Sequence, residues 1–369
     1  MFFHIFVPLL QYHQIFNVFR YITFRAVAAF ITALLFSFLI GPRIIKLLKQ
    51  KKAIETINDN VPITHKEKAG TPSMGGLIMI ASILLSTLLW NNLLNTFILL
   101  LLVTLLWLGG VGFIDDYFKN FLKKKDGLPP KYKMLGQTIL AFIVACVIFF
   151  SPDGMEATKI MVPFLKSSIY AGIQLSWLFI PFTLFMVVGT SNAVNLTDGL
   201  DGLASGLIAL STFGLGVMAY LKGNMVMAEY LNLNFIAEAG ELTIFTASMI
   251  GTTLGFLWFN TKPAEVIMGD TGSLTLGGLL AVVSIFLQEQ LFFGVIGGLF
   301  VVEALSSLLQ RYYFKYTRLK YGEGKRFFLK APLHHHYEMK GLKENKIVVR
   351  FWIIGILLVA IGLGTLKLR

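Results

Sequence analysis

The sequence predicts an all-α polytopic integral membrane protein, and three observations carry that prediction. Of its 369 residues, 56% are hydrophobic and only 14% are charged, a composition foreign to soluble globular domains. Mostly apolar stretches of about 18 or more residues recur along the whole chain, each long enough to cross a hydrocarbon core of about 30 Å. These runs are continuous and rich in Leu, Ile, Phe and Gly, without the alternation that marks the strands of a transmembrane barrel.

Taken in order, the apolar windows place about ten transmembrane helices near 22–45, 72–93, 96–114, 134–151, 172–193, 201–221, 241–258, 271–288, 291–310 and 348–366. The N-terminal MFFHIFVPLL lacks a basic leader and a small-residue cleavage site, so it reads as a retained interfacial helix. The single cysteine, Cys146, lies inside an apolar run and offers neither a disulfide nor a cysteine metal site. Most Lys and Arg fall in the loops after the first, third, fifth, seventh and ninth spans. By the positive-inside bias those loops are cytoplasmic, which puts both termini on the outer, periplasmic side. The net charge of +12 is read as topology and contact with anionic lipid headgroups, and no nucleic-acid partner is expected. No internal repeat and no separate soluble segment stands out. One membrane-embedded domain is expected over 1–369, with active-site loops at about 46–71, 115–133, 192–201, 259–271 and 311–347.

The unusual polar clusters all fall in those loops or at span ends on that one side. They are KEKAGTPSMGG, DDYFKNFLKKKDGLPPKYK, SNAVNLTDGLDG, FNTKPAEVIMGDTGS and APLHHHYE. If the third span continues as helix, Asp115 and Lys119 share a face in the favourable order for an ion pair, while Asp116 points elsewhere. Alone, an Asp-Asp pair at a helix end also suits a simple water boundary. DGLDG repeats the design, since Asp198 and Asp201 are three apart and can face one pocket. Asp270 adds a third acidic position just before a span.

Several acids in one membrane-edge site repel one another unless a cation neutralises them, and a hard divalent ion such as Mg²⁺ suits oxygen ligands and phosphates. Neither an EF-hand loop nor a zinc spacing is present. Acids with Mg²⁺ at a membrane face point to phosphoryl transfer. Lys68, beside the GTPSMGG turn, would supply a point charge to a phosphate, although Gly-Thr-Pro before a span also reads as a plain helix start. Lys131 and Lys133 of PPKYK carry the same two readings, and Lys131 is taken as the substrate contact. His334, His335 and His336, read as an extended loop, splay to alternate sides, so at most two can face one ligand. As residues that titrate near neutrality they suit proton donors beside an anion better than zinc ligands.

DDYFK, NAVNLTDGLDG, FNTKPAEVIMGDTGS and APLHHHYE, in this order on alternate loops, closely resemble the phospho-N-acetylmuramoyl-pentapeptide transferase family over essentially the whole chain. The resemblance implies transfer of phospho-MurNAc-pentapeptide from UDP-MurNAc-pentapeptide to undecaprenyl phosphate, giving lipid I and UMP, the first membrane step of peptidoglycan synthesis. It also implies Mg²⁺, a homodimer, and an active site on the cytoplasmic face of the bacterial inner membrane. Residue by residue, it assigns Asp115, Asp116, Asp270 and His335 to catalysis and Asp270 to the metal. It assigns Lys68, Lys119, Asn195, Asp198, Gly199, Leu200, Asp201, Asn260, His334 and His336 to substrate. Ile267 stands where family members often carry Phe against the uracil, and is left out of the site.

The reaction expected is in-line displacement by the lipid phosphate, with Asp115 or Asp116 positioning or deprotonating it. A two-step route through an aspartyl-phosphate is the competing chemistry. The sibling polyprenyl-phosphate N-acetylhexosamine-1-phosphate transferases share the acids, but their histidine loop usually reads differently. A membrane transporter is the alternative of another class. It fits poorly, because the acids lie at one membrane edge rather than at the midplane between repeats.

Overall fold

In the computed structural model, residues 1–51, 53, 70–124, 127–152, 154–163 and 172–368 are described. They form fifteen α-helices: α1 (Phe2–Phe6), α2 (Ile22–Gln50), α3 (Gly76–Trp90), α4 (Thr96–Asn120), α5 (Pro130–Phe149), α6 (Gly154–Ala157), α7 (Phe179–Thr197), α8 (Leu203–Lys222), α9 (Met225–Tyr230), α10 (Ala239–Asn260), α11 (Gly269–Phe286), α12 (Gln290–Ile296), α13 (Gly298–Tyr321), α14 (Leu333–Met339) and α15 (Glu344–Gly364). A two-residue antiparallel ribbon pairs Lys159–Ile160 with Ile173–Gln174.

Local chemistry sets several of these boundaries. The Asn95 side chain accepts from the backbone N–H of Ile98 at 3.2 Å and starts α4. Pro130 occupies the first position of α5, where a missing N–H costs nothing. Gly322, at φ +78°, ends α13 in the left-handed conformation that glycine adopts freely.

Among the described residues eight helices are long and apolar enough to cross a membrane, and the chain is a multi-pass membrane protein. The ninth expected span is not one straight helix. It is broken between α12 and α13, which bend by 81° at Gly297, where adjacent glycines interrupt the run. The second expected span is the apolar but shorter α3. The third runs past residue 114 to Asn120, so Asp115 and Asp116 are helical.

α11 is the centre of the bundle, with every residue from Asp270 to Phe286 buried. It packs against α4 and α7, while α10 packs against α2 and α8. Between helices in lipid, close approach of small residues replaces a hydrophobic driving force. Gly112 of α4 shows this: a Cβ there would strike the backbone of Asp270 and Thr271. That contact places the end of α4 against the start of α11.

Candidate active site

The closest polar grouping lies where α4, α5 and α11 meet. Asp115, Asp116 and Asp270 each offer a carboxylate oxygen within 4.8 Å of the others. Asp115 is 0%, Asp116 2% and Asp270 9% exposed. Lys119, one turn after Asp115, lies 2.6 Å from its Oδ2 and 3.2 Å from Asp270 Oδ2. Lys133 lies 3.1 Å from Asp115 Oδ1 and is closer still to Asp270 Oδ2. The backbone N–H of Leu128 donates to Asp115 Oδ1 at 3.0 Å.

Asp116 does not point away from this group. Its Oδ1 accepts from the backbone N–H of Asp270 at 3.1 Å, and its Oδ2 accepts from Thr271 through the backbone N–H at 2.9 Å and the hydroxyl at 2.6 Å. Three donors at the first turn of α11 therefore converge on one carboxylate, satisfying N–H groups that a helix start leaves without partners. Asp116 thereby fixes the backbone that carries Asp270.

Two ammonium groups beside three carboxylates leave the cluster one positive charge short. The donor set is wholly oxygen, hard and partly pre-formed, which fits Mg²⁺ and not a thiolate- or imidazole-preferring metal. Lys131, the lysine expected at the substrate, is elsewhere: it is exposed, with Nζ 4.9 Å from the centroid of Tyr132. Two residues along the helix, Lys133 lies on the face turned toward α11.

The second group surrounds the DGLDG turn between α7 and α8. Asp198 caps the end of α7, and Asn195, one turn earlier, donates to Ser273 Oγ of α11 at 3.0 Å. That bond joins the turn to the carboxylate cluster, although the Asp198 and Asp201 carboxylates lie outside it. Asp201 accepts from the backbone N–H of Ala264 at 3.2 Å. Leu200 is buried in the core.

Asn260 is committed to holding this turn. Its Oδ1 accepts from the Gly202 N–H at 3.1 Å and the Ser205 hydroxyl at 3.0 Å, and its Nδ2 donates to the Val266 carbonyl at 3.0 Å. Glu344, at the start of α15, accepts from the Asp201 N–H at 2.8 Å and pairs with Lys262 at 2.5 Å. The Pro72 carbonyl and the Gly75 and Gly76 N–H groups hydrogen-bond the Ile267–Met268 backbone, bringing the GTPSMGG turn to the same end of the bundle. Lys68 lies outside the described residues.

The three histidines are not an extended loop but the first turns of α14. His334 is fully buried, with Nδ1 3.1 Å from Glu303 Oε2. His335 Nδ1 lies 2.6 Å from Glu338 Oε2, and His336 Nδ1 accepts from the Leu329 N–H at 3.1 Å. Burial pushes the His335 imidazole down to about 4, with the Glu338 hydrogen bond opposing and the Lys330 charge adding to the fall. That burial favours the neutral form of His335.

Lys133 carries the same sequence signal as Lys131, and three further contributors are not singled out by the sequence. Thr271 needs the α4–α11 contact, and Glu344 sits at a span edge. Glu303 did carry a signal, because a lone acid inside VVEALSSLL is an ionisable group at membrane depth.

Residues 98–288 match the family profile described as Glycosyl transferase family 4. Residues 68–80 match Phospho-N-acetylmuramoyl-pentapeptide-transferase signature 1. The chain is 49% identical to a phospho-N-acetylmuramoyl-pentapeptide-transferase of Chloroherpeton thalassium, with 96% of this chain and 95% of the relative covered. Relatives of the same name from Thermodesulfovibrio yellowstonii and Rickettsia bellii are 45% and 46% identical, each alignment covering 100% of both chains.

Proposed function

The chain belongs to the phospho-N-acetylmuramoyl-pentapeptide-transferase family, and on that premise we propose that the Asp115–Asp116–Asp270 cluster is its catalytic centre. The enzyme transfers phospho-N-acetylmuramoyl-pentapeptide from UDP-MurNAc-pentapeptide to undecaprenyl phosphate, giving lipid I and UMP in peptidoglycan synthesis. The convergence of three carboxylates with Lys119 and Lys133 supports placing the reaction there.

Each group has a task in an in-line displacement. A lipid phosphate oxygen forms a bond to the sugar-linked phosphorus while the bond from that phosphorus to the bridging oxygen breaks, and UMP departs with that oxygen. Lys119 and Lys133 hold the reacting phosphates as point charges and offset the charge that builds up on them. Mg²⁺ held by Asp270, with Asp115 in reach, would neutralise the pyrophosphate and the leaving UMP. Asp115 orients the acceptor. The second pKa of a phosphate monoester, near about 6, makes a strong base unnecessary at pH 7. Asp116 serves as the positioning group of the α11 start. With three donors already on its oxygens it is poorly free to act as a nucleophile, which favours the one-step route over an aspartyl-phosphate.

The nucleotide end of the donor would sit over Asn195, Asp198, Gly199, Leu200 and Asp201, with the α14 histidines beside it. Asn260 acts by holding that turn. The reaction face is cytoplasmic, in a bacterial inner membrane, with about ten spans, both termini outside and one membrane-embedded domain in a homodimer. UMP release by the purified protein supplied with undecaprenyl phosphate, and offered UDP-MurNAc-pentapeptide against UDP-N-acetylglucosamine with and without Mg²⁺, tests the reading. Mg²⁺-dependent release from the first substrate alone supports it. Equal use of both sugars, or no need for the cation, contradicts it.

A further inference from the structure

Glu303 is a carboxylate on a membrane helix, 0% exposed, to which the transfer mechanism gives no task. Its Oε1 accepts from the backbone N–H of His334 at 3.1 Å, and its Oε2 lies 3.1 Å from His334 Nδ1. The carboxylate accepts from Nδ1, so in the neutral ring Nδ1 carries the proton and Nε2 keeps its lone pair. That lone pair has no hydrogen-bond partner among the described residues. It faces Gly199 of the DGLDG turn: a Cβ at Gly199 would collide with Nε2 and lie 3.1 Å from Cε1. The glycine hydrogen in that direction therefore points at the ring nitrogen, a weak C–H contact that a lone pair favours and an N–H opposes.

We propose that Glu303 is a positioning residue for the nucleotide-side turn, holding His334 as the Nδ1–H tautomer so that its ring seats Gly199. The proposal rests on the reading above that the Asn195–Asp201 turn receives the nucleotide. Glu303 touches no substrate. It acts through His334 as a carboxylate beside a metal-bound histidine does, by fixing tautomer and ring orientation, an influence worth about ten- to a hundredfold in such systems. The acid–lysine cluster is built from α4, α5 and α11, whereas the Glu303 carboxylate is engaged by the backbone N–H and ring of His334. Loss of Glu303 should thus weaken the nucleotide substrate selectively.

Glu303→Gln tests this with little change of shape. The amide oxygen still accepts from the His334 N–H, but its NH₂ must donate to Nδ1, which drives the proton to Nε2 and toward Gly199. The expected result is a rise of about tenfold in KM for UDP-MurNAc-pentapeptide, with KM for undecaprenyl phosphate unchanged and kcat altered less. UDP binding measured by calorimetry should weaken in parallel. In ¹⁵N-histidine-labelled protein, the Nδ1–H signal that vanishes in His334→Gln should shift to an Nε2–H signal in Glu303→Gln. Glu303→Asp, which keeps an accepting carboxylate, should recover part of the UDP affinity.

Asn195→Ala is measured alongside. If it weakens UDP binding and Glu303→Gln does not, or if Glu303→Gln changes both KM values alike, the Glu303 proposal is overturned by itself. If Asn195→Ala leaves UDP binding intact, the nucleotide reading of the turn fails and the proposal falls with it.

Discussion

Asp116 Oδ2 accepts two hydrogen bonds from Thr271, one from its backbone N–H at 2.9 Å and one from its hydroxyl at 2.6 Å. This pair joins the last turns of α4 to the first turn of α11 and so sets where Asp270 stands. Thr271→Val keeps the shape and removes one donor from a buried carboxylate, a loss of about 1–3 kcal/mol. The expected outcome is a lower unfolding temperature and a higher Mg²⁺ concentration for half-maximal UMP release. Mn²⁺ binding followed by electron paramagnetic resonance should weaken in the same variant, whereas unchanged Mn²⁺ affinity would mean that the Asp116–Thr271 bond does not position Asp270.

Lys131 and Lys133 differ by two residues and by their environment. Lys133 contacts Asp115 and Asp270, while Lys131 lies over Tyr132 at the surface. Lys133→Ala is expected to reduce kcat/KM by at least about a hundredfold, since it removes a charge that stabilises the transferring phosphate. Lys131→Ala should stay within about threefold of the parent, as exposed charges contribute little. Steady-state kinetics on the two variants side by side distinguishes them, and equal losses would contradict the geometry.

His335 makes a prediction about stability. Its folded-state value of about 4 lies below the ordinary 6.5, chiefly through burial. Between these values the unfolded chain binds a proton that the folded chain refuses, so stability falls as pH drops from about 6.5 toward 4 and levels off above 6.5. Thermal unfolding in detergent between pH 4.5 and 7.5 should show a shallower slope for His335→Gln than for the parent. An unchanged slope would show that His335 is not held neutral by its surroundings.

Much of this site was legible before any coordinates, and particular residues show why the rest was not. The apolar runs and the acids at their ends are covalently local, so the spans and the candidacy of Asp115, Asp116 and Asp270 follow from hydropathy and charge alone. The role of Asp116 is not local: its partners are more than 150 positions away, reached only because Gly112 lets α11 come close. The break at Gly297 was written in a glycine pair inside an apolar run, a pattern that a hydropathy window averages away. The histidines were read as extended because three adjacent polar residues show no helical period. Their helix is instead held by Glu303, through the His334 N–H at its first turn.

The central claim is that the carboxylate cluster of α4 and α11 performs the transfer, and Asp270→Asn and Asp115→Asn test it most directly. Purified parent and variants, each shown by thermal unfolding to be folded, would be given UDP-MurNAc-pentapeptide, undecaprenyl phosphate and Mg²⁺, and UMP counted against lipid I. The account predicts one UMP per lipid I from the parent and loss of both products, by at least about a thousandfold, in each variant. Retained turnover in both folded variants would contradict it.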